Sequence, residues 1–165
     1  MSESPEQKDH WGALFLLLLA SAATAAIGGM ASVDAPTFYG QLDQPGWAPP
    51  PALFGPVWTI LYAAMAVAAW LTIRSAGWPQ ARPAIALHGV QLVFNGLWSW
   101  IFFKWQMGAL AFVEILFLWG LVLLTLRAFW RVRPLAGALM LPYLASVTFA
   151  AALAYAVWQR NPGIL

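Results

Sequence analysis

The residues best suited to chemistry fall into two groups. The first is the run Gln44-Pro-Gly-Trp-Ala-Pro-Pro-Pro-Ala-Leu-Phe-Gly-Pro-Val-Trp-Thr-Ile-Leu-Tyr62. Its indole and phenol faces can stack on a flat, oily molecule, and its prolines stiffen the chain into a cap. The second is His88, Gln91, Asn95 and Ser99, whose offsets of three, seven and eleven residues put them on one face of a helix. Within an apolar stretch, such a stripe faces the interior of a bundle and not lipid. Two roles suit it: a ligand-facing wall with Asn95 near mid-membrane, or interhelical hydrogen bonds worth about 0.6 kcal/mol each. For His88, near a predicted helix end, the second role is the expectation, since haem ligation lacks a second axial residue.

Other chemistry is largely excluded. Glu114 is the only acid inside an apolar stretch. A proton relay would want a second acid there, so a hydrogen-bonded or interfacial Glu114 is expected. There is no cysteine, which removes disulfides, thiolate metal sites and covalent haem attachment. Two histidines and six acids, mostly at the edges, make no conventional metal site. No catalytic triad, carboxylate pair or phosphate-binding glycine loop is present. The reading is therefore no catalytic residue, no metal and no required cofactor.

The elements that must position these groups follow from composition. Hydrophobic residues are 62% of the chain and charged residues 8%, against about 25% charge in soluble domains. Net charge is +2, spread over few side chains, so no nucleic-acid partner is implied. Five stretches reach the ~20 residues a membrane-crossing helix needs: about 11–32, 54–73, 84–103, 108–130 and 135–158. They are continuously apolar and not alternating, which favours helices over a barrel. The predicted fold is an all-α integral membrane bundle of five transmembrane helices, with residues 1–165 as a single domain. The N-terminal stretch reads as a retained helix and not a signal peptide. Only the loop at about 33–53 is long, and it shows no helical periodicity; its prolines and aromatics predict an ordered cap. Short connections make helices three, four and five antiparallel neighbours.

Basic residues report orientation. With five crossings, Lys8, Arg74, Arg82, Arg127, Arg131 and Arg133 share one side, and Lys104 and Arg160 the other. The positive-inside rule then makes the N-terminus cytoplasmic in a bacterial inner membrane. Trp11, Trp78, Trp105, Trp130 and Trp158 lie at predicted helix ends and read as interfacial anchors. Trp47, Trp58, Trp98 and Trp119 are the informative ones. Ala22, Ala25, Ala26, Gly28 and Gly29 have small-xxx-small spacings that allow close helix contact, within the bundle or between protomers. Pro142 predicts a kink in helix five, and the Tyr143 hydroxyl beside it needs a partner. Leu153, Tyr155 and Arg160 match a loose sterol-contact pattern, which an aromatic-basic anchor explains equally well.

Three separated motifs together resemble the TspO, or translocator protein, family. They are Pro45-Gly-Trp-Ala-Pro-Pro with Phe54-Gly-Pro-Val-Trp-Thr-Ile-Leu-Tyr62; Gln91-Leu-Val-Phe-Asn-Gly-Leu-Trp98 with Phe102-Phe103; and Pro142-Tyr-Leu with Leu153-Ala-Tyr-Ala-Val-Trp158 and Asn161. The resemblance implies a five-helix bundle, often a homodimer, with a loop-capped pocket for porphyrins such as protoporphyrin IX, for sterols or for isoquinoline carboxamides. Carried over by motif, the ligand-binding residues are Trp47, Trp58, Tyr62, Asn95, Trp98 and Ala150. Leu153, Tyr155 and Arg160 are the candidate sterol contact. Porphyrin is a ligand here and not a cofactor, and membrane lipid is the other partner. The implied role is sensing, sequestration or transport. The alternatives are light-dependent porphyrin degradation and a structural protein with a lipid-filled pocket. Ser146 stands where the family commonly has tryptophan, and Ala154 where it commonly has asparagine. Binding is therefore expected over photodegradation.

Overall fold

Hydrocarbon offers the backbone no hydrogen-bonding partner, so each apolar stretch must close its own N–H and C=O groups as a helix. The computed structural model describes residues 10–165; the polar segment before them, with Lys8, lies outside the described residues. In order come α1 (Trp11–Ala31), α2 (Ala35–Gly40), a 3-10 turn (Pro51–Leu53), α3 (Phe54–Ala76) and α4 (Trp78–Ser99). A π-helical turn (Trp100–Lys104) extends α4, and α5 (Gly108–Val132), α6 (Pro134–Leu139) and α7 (Leu141–Arg160) follow. Five helical units are long and apolar enough to cross a membrane: Trp11–Ala31, Pro51–Ala76, Trp78–Lys104, Gly108–Val132 and Pro134–Arg160. Among the described residues there is no strand. The expected all-α five-helix bundle is the observed fold.

Local boundaries differ where proline and glycine act. The expected connection before residue 84 shrinks to Gly77, whose φ of 75° suits a residue without Cβ. Pro79 then sits in the first turn of α4, where its missing N–H costs nothing. His88 consequently lies roughly three turns inside α4, not near its end. The long loop contains α2, which is too short to show periodicity and has proline in its first turn. Pro142 does interrupt the fifth span: α6 stops at Leu139 and α7 restarts at Leu141 with Pro142 in its first turn.

The polar residues within the spans are buried while many large apolar ones face outward, as suits a chain surrounded by lipid. Phe15, Leu16, Ile60, Val93 and Val113 are exposed, whereas His88, Gln91, Asn95, Thr72 and Thr125 are buried. One core gathers Met65, Ala68, Leu118, Val122, Phe129 and Tyr143 from α3, α5 and α7, with Met140 from the joint between α6 and α7. A second lies under α2, where Phe38, Tyr39 and Leu42 meet Ile101, Phe102, Leu153 and Val157. The small residues of α1 divide. Gly28 is buried against Ser99, Ala25 and Gly29 border a cavity, and Ala22 and Ala26 face outward.

Candidate ligand-binding site

The end of the bundle beneath α2 holds a partly open cavity of about 490 Å³, a size typical of small-molecule sites. Its walls come from the C-terminal half of α1, the N-terminal half of α3, the C-terminal half of α4 with its π turn, and α7; Tyr39 and Pro51 close it from the lid. Among the described residues, no Asp, Glu, Lys, Arg or His lines it. Such a space takes an apolar body and offers few, directional polar contacts.

Aromatic rings set its shape. Trp58 tilts against Tyr62 at 5.8 Å and meets the edge of Tyr143 at 6.0 Å. Trp98 stacks on Phe102 at 5.1 Å with an interplanar angle of 11°, and Phe103 closes edge-on against Phe102 at 5.0 Å. The indole of Trp98 is fixed by donating its Nε1–H to the Ala111 carbonyl on α5, 3.1 Å away. The π turn is held by Trp105 N–H donating to the Trp100 carbonyl at 2.8 Å. These contacts brace the rings against one another and against α5.

Behind the rings runs a polar chain. The Tyr62 hydroxyl donates to Asn95 Oδ1. Asn95 Nδ2 donates to the Tyr143 hydroxyl at 2.8 Å, and that hydroxyl donates to Gln91 Oε1 at 2.7 Å. Gln91 Nε2 lies 3.1 Å from His88 Nδ1 and 3.7 Å from Met65 Sδ. The Tyr143 hydroxyl thus has the partner it needed. The stripe on α4 divides: Asn95 and Ser99 line the cavity, while Gln91 and His88 bond behind it.

Of the residues singled out from sequence, Trp58, Tyr62, Asn95, Trp98, Ala150 and Leu153 meet at this cavity. Trp47 does not line it; it is 51% exposed and rests edge-on against Phe149 at 5.6 Å. Tyr155 and Arg160 turn elsewhere, the first onto Phe112 at 5.0 Å and the second to Asp43. Trp119 donates to Thr148 Oγ1 at 2.8 Å, away from the cavity. Ser146 is off the wall and Ala154 is on it.

Glu114 corrects an expectation. It is buried, and neither carboxylate oxygen has a hydrogen-bonding partner among the described residues. Its position in the first turns of a span suggested an interfacial reach, but tertiary packing closes over it.

Tyr39 is the residue the sequence reading missed. It lines the cavity, is 6% exposed, and its hydroxyl has no partner among the described residues. Burial raises its phenol above the usual 10.0, so it stays a neutral donor. The signal was present in Phe38-Tyr39, but a lone tyrosine in an aperiodic loop carries no direction.

Asn161, just past α7, ties the lid down. Its Oδ1 accepts from the Asp43 N–H at 2.9 Å, and its Nδ2 donates to the carbonyls of Asp43 at 3.0 Å and Val157 at 2.7 Å. The neighbouring Arg160–Asp43 pair, 3.5 Å apart and half exposed, adds at most about 1 kcal/mol. Asn161→Ala removes three hydrogen bonds, two part-buried at Asp43 and one buried at Val157, each worth about 0.5–1.5 kcal/mol. It is therefore expected to speed amide exchange across residues 41–50 strongly, and Arg160→Ala only slightly. Equal acceleration by both substitutions, read by hydrogen-exchange mass spectrometry, would contradict this account of the lid.

Comparison with known proteins agrees with this architecture. The model of the TspO/MBR family matches residues 14–159. Among similar proteins, the tryptophan-rich protein TspO of Chlorobaculum tepidum is 39% identical over 127 residues, covering 76% of this chain and 80% of that protein. The translocator protein of Homo sapiens is 37% identical over 128 residues, 76% of each chain. The tryptophan-rich sensory protein of Cereibacter sphaeroides is 35% identical over 151 residues, 92% of each.

Proposed function

The chain belongs to the TspO/MBR family and is an integral, multi-pass membrane protein, and on that premise we propose that its cavity binds a flat, apolar guest of the tetrapyrrole class. One observation carries the reading: Trp58, Tyr62, Asn95 and Trp98 converge on one uncharged cavity beneath an ordered lid. Indole and phenol faces suit a macrocycle, and Tyr39, Tyr62 and Asn95 supply directed hydrogen bonds. Relatives named translocator and sensory protein favour a role in carriage or sensing. The same proposal includes a homodimer, from the family resemblance, and a cytoplasmic N-terminus, from the basic residues.

A sterol is the weaker guest. Leu153 lies on the wall, but Tyr155 and Arg160 make contacts elsewhere and do not converge with it. Light-dependent degradation is weaker too, because no second tryptophan stands at position 146 to pair with Trp58.

Titration of the detergent-purified protein with protoporphyrin IX tests the proposal. The expected result is saturable tryptophan quenching with a rise in thermal stability, since a guest specific to the folded state stabilises it by mass action. Absence of both overturns it in favour of a lipid-filled pocket. Under illumination, the Soret band of the complex should decay no faster than in a protein-free control; faster decay would favour the degradative alternative.

A further inference from the structure

The polar chain behind the cavity crosses three helices without a gap. Tyr62 belongs to α3, Asn95, Gln91 and His88 to α4, and Tyr143 to α7. Gln91 and Tyr143 are fully buried and His88 is 1% exposed. His88 does not line the cavity. Its Nδ1 faces Gln91 Nε2, its ring packs on Phe129 at 5.9 Å, and its Nε2 has no partner among the described residues.

Two members of the chain are primary amides and two are phenols. An amide presents an acceptor on one side and donors on the other, and a phenol both gives and receives one hydrogen bond. Donation must therefore run in one direction throughout. As assigned, it runs from Tyr62 through Asn95, Tyr143 and Gln91 to His88 Nδ1. In the neutral ring this fixes the proton on Nε2. Rotating both amides by half a turn gives the opposite direction with nearly the same heavy-atom separations. His88 Nδ1–H then donates to Gln91 Oε1, Gln91 to Tyr143, Tyr143 to Asn95 Oδ1, and Asn95 Nδ2 to the Tyr62 oxygen.

The two directions present different faces to a guest. In the first, the Tyr62 proton is committed to Asn95 and only its oxygen lone pair is free. In the second, the Tyr62 O–H is free to donate. We propose that Tyr62, Asn95, Tyr143, Gln91 and His88 form one hydrogen-bonded unit with two opposed directions, in which the tautomer of His88 sets whether Tyr62 offers the guest an acceptor or a donor. His88 is a positioning residue: it acts on the ligand only through the chain. Its use in ligand selection rests on the binding reading above, but the coupling itself does not.

Counting unpaired groups fixes the resting direction. Of the groups that link the five residues, the first direction leaves only the His88 Nε2–H without a partner, and it alone keeps the Gln91 Nε2 contact with Met65 Sδ. The second leaves both the Tyr62 O–H and the bare His88 Nε2. With no guest, the first is favoured. Tyr62→Phe leaves one linking donor and one linking acceptor unpaired in either direction, so the preference shrinks to the weak Gln91–Met65 contact. Tyr143→Phe does the same by detaching Gln91 from Asn95.

The test is nitrogen NMR on protein carrying 15N-histidine, with the His10 signals assigned by a His10→Gln variant. In ligand-free protein, the His88 Nε2 resonance should be that of a protonated nitrogen and Nδ1 that of a bare one. Both Tyr62→Phe and Tyr143→Phe should draw the two resonances toward each other, while Thr59→Ala, at the cavity but off the chain, should not. Both phenylalanine variants keep the ring and are checked for folding by thermal unfolding. Unchanged His88 resonances in folded Tyr62→Phe, or a protonated Nδ1 in the resting protein, overturn the proposal. Adding protoporphyrin IX separates the two readings. If quenching shows binding, His88 should respond in the parent protein and not in Tyr143→Phe; binding with no response at His88 overturns the coupling and leaves the cavity reading standing. If no binding occurs, the cavity reading fails and the ligand-free variants alone decide the coupling.

Discussion

The triple variant Trp58→Ala, Tyr62→Ala, Asn95→Ala is expected to bind protoporphyrin IX about 100-fold more weakly than the parent protein. Trp58 lines the cavity and braces Tyr62 and Tyr143. Losing an indole wall removes on the order of 100 Å² of apolar contact, or about 2–3 kcal/mol. The loss of directed hydrogen bonds at Tyr62 and Asn95 adds roughly 1 kcal/mol more. A total near 3 kcal/mol is a factor of about 100 or more in Kd. Trp47→Ala is the informative comparison, because Trp47 stands on the lid away from the lining. Its effect should be much smaller. Bound porphyrin, followed by its Soret absorbance, gives both affinities. Equal affinity in the triple variant and the parent would remove the cavity as the binding site.

Gly137→Ala should be the most destabilising single-methyl change among the described glycines. A Cβ built at Gly137 would lie 2.8 Å from the Cα of Trp130 and 2.6–2.7 Å from its side chain. The backbone of Trp130 is part of α5 and cannot swing aside, so the α5–α6 corner must open. Overpacking of this kind costs about 1–3 kcal/mol, against about 1 kcal/mol gained from alanine's helix propensity. The net is a loss. Gly120→Ala is the control, since nothing lies within 4 Å of its added methyl. Thermal unfolding in detergent should show a lower Tm for Gly137→Ala and none of that loss for Gly120→Ala. An unshifted Tm for Gly137→Ala would mean that the corner is looser than its distances imply.

Much of the site was legible because its signals are local. The spacing of His88, Gln91, Asn95 and Ser99 places them on one helical face whatever else the chain does. Trp58 and Tyr62 lie one turn apart on α3 and so share a wall. What resisted reading were groups whose role depends on elements far away. Tyr39 acquires its place from a short helix docking on Phe102 and Leu153. Glu114 is sealed by neighbours, not by its depth along α5. Leu153, Tyr155 and Arg160 are close in sequence yet do not converge: helix rotation turns Tyr155 away from Leu153, and Arg160, about two turns further along the face of Leu153, reaches Asp43 beyond the cavity.

By itself the sequence determined that this chain is five apolar helices with one polar stripe and a stiff aromatic loop. That follows because hydrocarbon forces each stretch to satisfy its backbone locally, so helices need no tertiary information. Only the tertiary structure decided which faces meet. Tyr143 reaches Gln91 and Asn95 across about fifty residues, and Asn161 holds Asp43 from the far end of the chain. Such pairings depend on how small and polar residues on separate helices settle the rotation of one helix against another. That is a sum over contacts that no single stretch contains.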